Sequence, residues 1–224
     1  MIVAIDGPAG AGKSTVARRV AARLGMGYLD TGAMYRAVTF LAVREGIDSS
    51  DGARLADVAR RHRLQMRPMH GGMAIAADGE DLSAAIRTAT VTAQVSTVAS
   101  HPAVRAVVTA TQRTVMARGS WVCDGRDIGT IVWPHAELKV FLTASVAERA
   151  RRRFAELSAR GTPEPLEAVQ AAIEQRDHQD TTRAASPLRA ADDAVHLDTS
   201  ALSIDQVVET IVGWASGERE GARR

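Results

Sequence analysis

Apolar positions along the chain follow two different spacings. Three or four positions separate the apolar residues Val16, Val20 and Leu24, and this spacing predicts a helix. Short continuous apolar runs are instead typical of buried strands, and they occur at residues 2–5, 27–29, 120–124, 138–142 and 194–197. The predicted helices cover about residues 13–24, 31–44, 51–63, 88–99, 102–118, 145–160, 162–180 and 203–215. Strands that alternate with helices predict an α/β fold with a parallel sheet flanked by helices on both faces.

Several helix ends have sequence signals of their own. Ser145 and Ser203 each stand three residues before a Glu or Gln, the pattern of a capping box. Gly161 is expected to end the helix that begins at Ser145. The dipeptide Thr162-Pro163 predicts the start of the next helix.

Residues 64–82 have a different character from the rest of the chain. Short alternating segments surround His70-Gly71-Gly72, and another precedes Asp78-Gly79. Glycine-containing turns between alternating segments indicate β-hairpins. We therefore predict a small antiparallel insert here.

Length and composition limit the class of protein. A chain of 224 residues with 46% hydrophobic and 24% charged residues suits one soluble α/β domain. No apolar stretch is long enough to cross a bilayer, and the N-terminus lacks the features of a signal peptide. The single cysteine, Cys123, fits a reducing compartment, so a cytoplasmic protein is expected.

Charge gives a weaker indication. The formal net charge of +2 predicts neither a nucleic-acid polymer nor a membrane as a partner. Only Lys13 and Lys139 are lysines among the 28 basic residues. A compositional bias of the genome explains this arginine excess, and so does a need for guanidinium groups that bind phosphate in a bidentate manner. Composition does not separate the two explanations.

The segment GPAGAGKST, residues 7–15, carries the most specific local motif. It matches G-x-x-x-x-G-K-[ST] and lies between a predicted strand and a predicted helix, which is the context this motif requires. The backbone N–H groups of such a loop surround phosphate oxygens. Lys13 would contact the β- and γ-phosphates, and Ser14 would bind Mg²⁺. The loop predicts an ATP site formed by Gly7, Pro8, Ala9, Gly10, Ala11, Gly12, Lys13, Ser14 and Thr15.

Polar residues follow two other predicted strands. Asp30 and Thr31 follow one of them, where Thr31 can cap the next helix and Asp30 can orient the loop or approach the metal. Asp124, Arg126 and Asp127 follow another strand, where Asp124 can approach Mg²⁺ through water or cap the next turn. Because the carboxyl ends of parallel strands share one edge, these residues are expected close to the phosphate loop.

Two helical segments add further arginines. Arg176, Asp180 and Arg183 share one helix face, either as a surface ladder of ion pairs or as part of the site. An earlier helix is dense in arginine and is either a solvated basic face or a mobile lid over the transferring phosphoryl group. Its arginines are Arg149, Arg151, Arg152, Arg153 and Arg160.

Taken together, these segments resemble the bacterial cytidylate kinases, a family of P-loop nucleoside monophosphate kinases. The resemblance covers nearly the whole chain. It rests on IDGPAGAGKST, LDTGAMYR, EDLSAAIRT, VSTVASHPAVR, DGRDIGTIVWP and RDHQDTTR in this order. Two small departures are Thr31, where the family often has serine, and Gln179, where an arginine is common.

The resemblance implies a fold and its regions. A P-loop NTPase-type parallel sheet of about five strands would carry a small antiparallel β insert in the monophosphate-binding region, together with a helical lid. A single kinase domain over residues 1–224 would have its core at about 1–40, 100–148 and 174–224. The monophosphate-binding region would cover about residues 41–99, and the lid about 149–173.

The resemblance also implies roles for individual residues. Arg36, Arg126 and Arg176 would hold the CMP phosphate, with Arg183 completing the cluster. Ser96, Arg105 and Asp127 would contact the cytosine, and Tyr35 and Asp180 the sugar. Thr31 would belong to the same CMP site, and Arg149 and Arg153 are the lid candidates. The predicted catalytic residues are Lys13, Arg126, Arg176 and Asp30.

The predicted reaction is ATP + (d)CMP → ADP + (d)CDP in a monomer. Mg²⁺ would be bound by Ser14, with Asp30 or Asp124 acting through water. Two alternatives stay open. One is another P-loop kinase, acting on UMP, AMP or a hydroxylated metabolite, with Asp30 as the available base. The other is a non-catalytic switch that binds nucleotide.

Overall fold

The computed structural model describes residues 1–69, 72–159 and 161–217. The strands are β1 (Ile2–Asp6), β2 (Gly27–Asp30), β3 (Leu64–Met69), β4 (Gly72–Ala77), β5 (Glu80–Asp81), β6 (Trp121–Gly125), β7 (Leu138–Thr143) and β8 (Val195–Asp198). The helices are α1 (Lys13–Leu24), α2 (Thr31–Arg44), α3 (Gly52–Arg61), α4 (Ala89–Ser100), α5 (Pro102–Met116), α6 (Val146–Ala159), α7 (Leu166–Thr182) and α8 (Ile204–Ala215). Short 3₁₀ and π-helical turns occupy Ala85–Arg87 and Ile128–Val132.

Five parallel strands form the central sheet in the order β2-β6-β1-β7-β8. The middle strand β1 is buried along its whole length and pairs with β6 on one side and β7 on the other. The predicted parallel sheet of five strands between helices is therefore confirmed. Asp30 and Asp124 are partners in the register of β2 and β6, so two acids lie side by side at the carboxyl edge.

Apolar side chains cover both faces of this sheet. Val3, Ile5 and Val140 pack on one face with α1 and α8. On the other face, Ala4, Leu29 and Cys123 belong to a second cluster that includes residues of α2, α3, α4 and α5. Burial on both faces explains why the strands appear in the sequence as continuous apolar runs rather than alternating ones.

Lys139 and Gly27 are two strand residues with unusual surroundings. Lys139 of β7 is buried, and its ammonium group donates to both carboxylate oxygens of Asp193 at 2.8 and 2.9 Å. Gly27 of β2 lies directly against the indole ring of Trp121 in β6. A Cβ atom at Gly27 would stand 2.5 Å from two ring carbons, so the ring occupies the space that a side chain would need.

The predicted insert is a three-stranded antiparallel sheet in the order β3-β4-β5. Asp78 and Gly79 connect β4 to β5, both with positive φ, as a two-residue hairpin turn requires. The other predicted turn, at His70 and Gly71, lies outside the described residues, as does Arg160 of the arginine-dense helix. His62 at the end of α3 contacts Glu45 and Asp78 through its two ring nitrogens, which joins α2, α3 and the insert.

One predicted helix start and one predicted capping box are wrong in detail. α7 begins at Leu166 rather than at Thr162, because Pro163 and Pro165 disfavour the helical conformation of the residues before them. The capping box at Ser145 is only half formed. The Ser145 hydroxyl accepts from the N–H of Glu148, but the carboxylate of Glu148 binds Arg151 and Arg152 instead of returning to the Ser145 backbone. The reciprocal box at Ser203 and Gln206 is confirmed.

No helix among residues 1–69, 72–159 and 161–217 is both long and apolar enough to span a membrane.

Candidate active site

The glycine-rich loop between β1 and α1 has the backbone shape of an anion-binding turn. Gly7, Gly10 and Gly12 have φ values of 152°, 76° and 86°. A Cβ atom at Gly7 would lie 2.0 Å from the carbonyl oxygen of Leu142, so the loop passes β7 at a distance that only glycine permits. Gly12 is the N-cap of α1 and supplies no capping side chain. The first N–H groups of the helix are therefore not claimed by a side chain at that position.

Lys13 is buried beneath this loop, with 6% of its surface exposed. Its ammonium group donates to the carbonyl oxygen of Pro8 at 2.6 Å. Burial lowers the pKa of Lys13 well below its usual value. The positive charge of Arg126 acts in the same direction, whereas Asp124 opposes it. Lys13 thus lies between the loop and the charged residues that follow β6.

Oxygen atoms from three elements meet beside the loop. Asp124 at the end of β6 accepts hydrogen bonds from the hydroxyls of Ser14 and Tyr28, at 2.6 and 3.0 Å. Burial raises the pKa of Asp124 to about 6, and the neighbouring Asp30 adds to the shift. Asp124 therefore does not cap the next turn. It occupies a corner rich in oxygen atoms, next to the loop.

Asp30, rather than Thr31, caps the helix α2. Asp30 is the N-cap of α2 and accepts from the N–H of Ala33 at 3.0 Å. The prediction that Thr31 caps this helix is wrong, because its hydroxyl donates to the carbonyl oxygen of Asp124 at 2.7 Å. Thr31 thereby ties the start of α2 to the end of β6. The second oxygen of Asp30 lies 3.4 Å from the guanidinium group of Arg87.

A cleft next to the loop brings together all ten residues predicted to form the CMP site. These residues come from α2, α4, α5, α7 and its C-cap, and from the turn after β6. Gly32, Val95, Ala99 and Gly125 complete the lining. The ten predicted residues are Thr31, Tyr35, Arg36, Ser96, Arg105, Arg126, Asp127, Arg176, Asp180 and Arg183.

One side of the cleft contains a buried ion pair. Arg105 of α5 bonds Asp127, and both side chains are only 6% exposed. Arg105 also donates to the carbonyl oxygen of Ala99 at 3.1 Å, and its guanidinium group lies 5.2 Å from the ring centre of Tyr35. Ser96 of α4 is half-buried and lines the same cleft. This region can offer both a fixed hydrogen-bond acceptor and fixed donors to a planar polar group.

The other side of the cleft is an arginine cluster. Arg126 donates to Asp180 at 2.8 Å. Burial alone would raise the pKa of Asp180, but Arg126 and Arg176 hold it below its usual range. Arg36 donates to the hydroxyl of Thr92 at 2.9 Å, and Arg183 to the carbonyl oxygen of Ser186 at 2.6 Å.

Arg176 is the least compensated member of this cluster. Burial lowers the pKa of Arg176 to about 10, and the nearby positive charge of Arg126 adds to the shift. The Nε atom of Arg176 is buried and has no hydrogen-bond partner among the described residues. A half-buried cation that bonds no anion in the described part of the chain is a suitable binding point for a negatively charged ligand.

The two lid candidates differ in what they contact. Arg149 is buried against the phosphate loop and bonds Asp177, while Arg153 is about one third exposed and bonds Glu156 at 2.8 Å. Burial is the main cause of the lowered pKa values of Arg36 and Arg176, and the charge of Arg153 contributes to both. Arg153 therefore acts electrostatically on the arginine cluster.

Two acids of the site carried no prediction. Asp6, the last residue of β1, accepts from the backbone N–H groups of Ile128 and Gly129 at 2.9 and 2.8 Å. Asp177 accepts from the N–H of Ala9 at 3.2 Å. The signal that could have found Asp6 is an acid that ends a wholly apolar strand. For Asp177 it is an acid four residues after Ile173, on the buried face of α7.

Comparison with known proteins agrees with this geometry. The family model described as cytidylate kinase matches residues 3–216. The cytidylate kinase of Shouchella clausii (strain KSM-K16) is 52% identical over 210 residues, which covers 94% of this chain and 93% of that protein. The bifunctional pantoate ligase/cytidylate kinase of Synechococcus sp. (strain CC9605) is 51% identical over 214 residues. That match covers 95% of this chain but only 45% of the relative, so the chain spans less than half the length of such bifunctional proteins.

Solved structures resemble the fold at much lower identity. An uncharacterized protein from Eubacterium ventriosum ATCC 27560 matches with a TM-score of 0.54 at 10% identity, over 97% of this chain and 99% of that one. A gluconokinase from Sinorhizobium meliloti 1021 matches with a TM-score of 0.50 at 15% identity, over 97% and 93% of the two chains. These likenesses concern the fold alone. The match to residues 3–216 and the 52% identity over nearly the whole chain show that this protein belongs to the cytidylate kinase family.

Proposed function

We propose that this protein transfers the γ-phosphoryl group of ATP to CMP and dCMP, giving CDP and dCDP. The observation that carries the proposal is the buried pair of Arg105 and Asp127 in the cleft that also holds the arginine cluster. Its position suits a nucleoside monophosphate, with the base at the ion pair and the phosphate at the arginines. The similarity to proteins named cytidylate kinases supports the same assignment.

The chemistry of the ion pair favours cytosine over uracil. The two bases differ by an exocyclic amine, a donor, in place of a carbonyl, an acceptor. An ionised Asp127 only accepts hydrogen bonds, so it binds the amine and repels the carbonyl. Arg105 only donates, which suits the O2 and N3 atoms of cytosine. The hydroxyl of Ser96 can accept a second hydrogen bond from the amine.

The arginine cluster has the charge that a phosphate needs. Arg36, Arg126 and Arg176 line one end of the cleft, and guanidinium groups bind phosphate oxygens in a bidentate manner. With its pKa lowered to about 10, Arg176 still carries its charge at neutral pH. Arg183 adds a fourth guanidinium, and Tyr35 and Asp180 remain as the groups for the sugar.

The oxygen-rich corner suits a magnesium ion that is shared with the phosphates of ATP. Among the described residues, no group of three or more His, Cys, Asp or Glu side chains is arranged to hold a metal ion by itself. Mg²⁺ generally uses one or two protein oxygens together with water and substrate phosphates. Ser14 would bind it directly, with Asp124 or Asp30 acting through water. The ion would neutralise charge on the phosphate oxygens during transfer.

The protein's own groups then act by position and charge. The loop N–H groups and Lys13 hold the β- and γ-phosphates, and the arginines hold the acceptor phosphate in line with them. The acceptor oxygen is already anionic, so no general base is required, and the P–O bond to ADP breaks as the bond to CMP forms. Asp30 acts by fixing the start of α2 beside the site. Arg153 is the lid residue that we assign to the transferring phosphoryl group.

A coupled assay of ADP release tests the assignment. Purified protein with Mg·ATP is given CMP, dCMP, UMP, AMP or shikimate at equal concentration. We expect CMP and dCMP to give the highest kcat/KM. Faster turnover of UMP, AMP or shikimate would contradict the cytidylate assignment, and slow ATP hydrolysis that ignores all five would indicate a nucleotide-binding switch.

We also infer a monomer that works in the cytoplasm with small nucleotides as its only partners. The single cysteine, which is buried, and the net charge of +2 support this inference. Size-exclusion chromatography with light scattering measures the mass directly, and a dimer mass at micromolar concentration would contradict it.

A further inference from the structure

The buried face of α7 carries an acid, Asp177, that does not line the CMP cleft. Val169, Ile173 and Asp180 are the fully buried residues of this helix, and Asp177 lies four residues after Ile173 on the same face. One oxygen of Asp177 accepts from the backbone N–H of Ala9 at 3.2 Å. The other accepts from the guanidinium group of Arg149 at 2.6 Å. A single carboxylate thus joins α7, α6 and the phosphate loop.

The contacts of Arg149 complete this arrangement. Its Nη1 atom donates both to Asp177 and to the carbonyl oxygen of Ala9, the latter at 2.9 Å. Its Nε atom donates to the carbonyl oxygen of Ala144 at 2.9 Å. The side chain is only 5% exposed, and its Cβ lies 3.2 Å from the position that a Cβ on Gly10 would take. Arg149 is therefore engaged by the protein itself and is not arranged to follow a phosphoryl group.

We propose that Asp177 is a positioning residue for ATP, which together with Arg149 fixes the peptide groups on either side of Ala9 and so orients the N–H groups that follow in the phosphate loop. Arg149, predicted as a lid arginine, belongs to this contact, whereas Arg153 is left for the phosphoryl group. The inference rests on the proposed use of ATP as phosphoryl donor.

The physical reason lies in how the loop is held. Asp177 takes the N–H of Ala9 and Arg149 takes its C=O, so both adjoining peptide planes are fixed. Gly10 and Gly12, which come next, have positive φ and no side chains to restrain them. Charge-assisted hydrogen bonds are shorter and stronger than neutral ones, and here they act on a loop of otherwise flexible residues. Loss of the carboxylate leaves the direction of these N–H groups less well defined.

The test measures nucleotide binding separately from catalysis. A fluorescent N-methylanthraniloyl ATP with Mg²⁺ is titrated into the wild type, D177A, D177N, R149Q and the double variant D177N/R149Q, and CMP binding is measured by calorimetry. E174Q is the matched control, because Glu174 is an exposed acid on the same helix. Melting temperature and far-UV circular dichroism are recorded for every variant.

We expect D177A to bind the ATP analogue about tenfold more weakly, since it loses two charge-assisted hydrogen bonds. CMP binding should change by less than about twofold, and E174Q should match the wild type. D177N keeps one acceptor oxygen and should lie between D177A and the wild type. Because Asp177 and Arg149 act together, their effects should not add. The double variant should bind the ATP analogue about as tightly as the single variant, D177N or R149Q, that has the lower affinity.

Three results would overturn the inference. One is unchanged affinity for the ATP analogue in a folded D177A. Another is an equal loss of ATP and CMP affinity, which indicates general damage, and the third is strict additivity of D177N and R149Q. If D177A does not fold, the isosteric D177N answers the same questions. An absence of CMP turnover in the wild type would contradict the proposed function. The affinities for the ATP analogue could still be interpreted, because binding of the analogue needs no phosphate acceptor.

Discussion

Two neighbouring residues, Arg126 and Asp127, form ion pairs on different sides of the cleft. Arg126 faces Asp180 and the arginine cluster, whereas Asp127 faces Arg105 on the opposite side of the cleft. The backbone of Asp127, with φ of −147° and ψ of 25°, is neither helical nor extended, and it marks the end of the strand direction between these two side chains. In the proposed function, adjacent residues of one turn would therefore recognise the phosphate charge and the identity of the base.

Substitution of Asp127 by Asn tests base recognition at this scale. The amide presents both a donor and an acceptor, so the variant should accept UMP better relative to CMP. We expect kcat/KM for CMP to fall by about 10- to 100-fold and the preference for CMP over UMP to narrow. The measurement is kcat/KM for both substrates in the coupled assay.

The control for this substitution is D205N, because Asp205 pairs with Arg19 at the surface of α8. D127N also leaves Arg105 buried without its anion, which costs stability. Melting temperatures are therefore measured for both variants. The kinetic assay is then run at a temperature at which both variants are folded. Unchanged kcat/KM for CMP and UMP would remove Asp127 from base recognition.

At the residue scale, the sequence indicated which residues line the cleft, but not which residues they bond within the protein. Arg105 and Asp127 were assigned to one base by resemblance, but their ion pair joins residues 22 positions apart and is not visible in a local pattern. Asp6 and Asp177 were missed because each bonds backbone N–H groups of a distant segment. A motif identifies residue types, whereas backbone partners depend on the path of the whole chain.

At the scale of elements, β2 depends on close contact with its neighbour. It has four residues and lies at the edge of the sheet, where β6 is its one strand partner in the part of the chain that the structure describes. Gly27 lets the indole ring of Trp121 occupy the space that a Cβ atom would take. The same short strand ends in Asp30, so its placement also sets the start of α2 beside the phosphate loop.

Addition of a methyl group at Gly27 should therefore be costly. The new Cβ would stand 2.5 Å from two ring carbons of Trp121, and the ring or the strand must move. We expect G27A to lower the free energy of unfolding by about 1–3 kcal/mol, as measured by urea denaturation.

Gly119→Ala is the matched control for this prediction. A Cβ atom there would lie 3.6 Å from the indole nitrogen of Trp121, an ordinary contact. The control should stay within about 0.5 kcal/mol of the wild type. Equal effects of G27A and G119A would show that close packing of β2 on the indole ring is unimportant.

Elements were predicted well in kind and less well at their ends. The sequence pattern identified all five strands of the central sheet and the eight α-helices found within residues 1–69, 72–159 and 161–217. The start of α7 was misplaced because a Thr-Pro pair signals a helix start only when no second proline follows closely. The half-formed box at Ser145 was overestimated because nearby arginines compete for Glu148, and a four-residue pattern does not include them.

At the scale of the whole molecule, Asp6 connects the two halves of the site. It ends β1, next to the phosphate loop, and its carboxylate holds the turn that carries Asp127. Burial raises the pKa of Asp6 to about 6, although the two N–H groups oppose this shift. An ionised carboxylate in the core lowers the stability of the fold. This loss of stability accompanies the hydrogen bonds by which Asp6 holds the turn after β6 beside the phosphate loop.

This placement predicts how stability depends on pH. The folded pKa of Asp6 is about 6, against 3.8 for the ordinary group, so its contribution to stability is fully present below pH 3.8. That contribution is lost as the pH rises through 6. Between pH 5 and 7.5 the wild type should therefore lose roughly 1–1.5 kcal/mol more stability than D6N, as measured by urea denaturation at each pH.

Other groups with raised pKa values, Asp124 and His62, change in the same direction but are present in both proteins. The difference between the wild type and D6N therefore isolates Asp6. Parallel profiles for the two proteins across this range would mean that Asp6 is not held ionised against its burial.

The meeting of the phosphate loop with the ends of β2 and β6 was predictable because it follows from topology. Parallel strands end at one edge, so the phosphate loop, Asp30 and Asp124 had to come together there. The resemblance to cytidylate kinases is likewise confirmed by the family match. The contact of Asp177 and Arg149 with Ala9 was not predictable, because it depends on how α6 and α7 return over that edge.

The rarity of lysine has a practical consequence. Both lysines of the chain are buried, Lys13 beneath the phosphate loop and Lys139 within β7. A protease that cleaves only after lysine therefore finds no accessible side chain while the protein is folded. Cleavage after Lys13 would report opening of the phosphate loop, and cleavage after Lys139 would report separation of the central sheet. The native chain thus contains two built-in reporters of local and global unfolding.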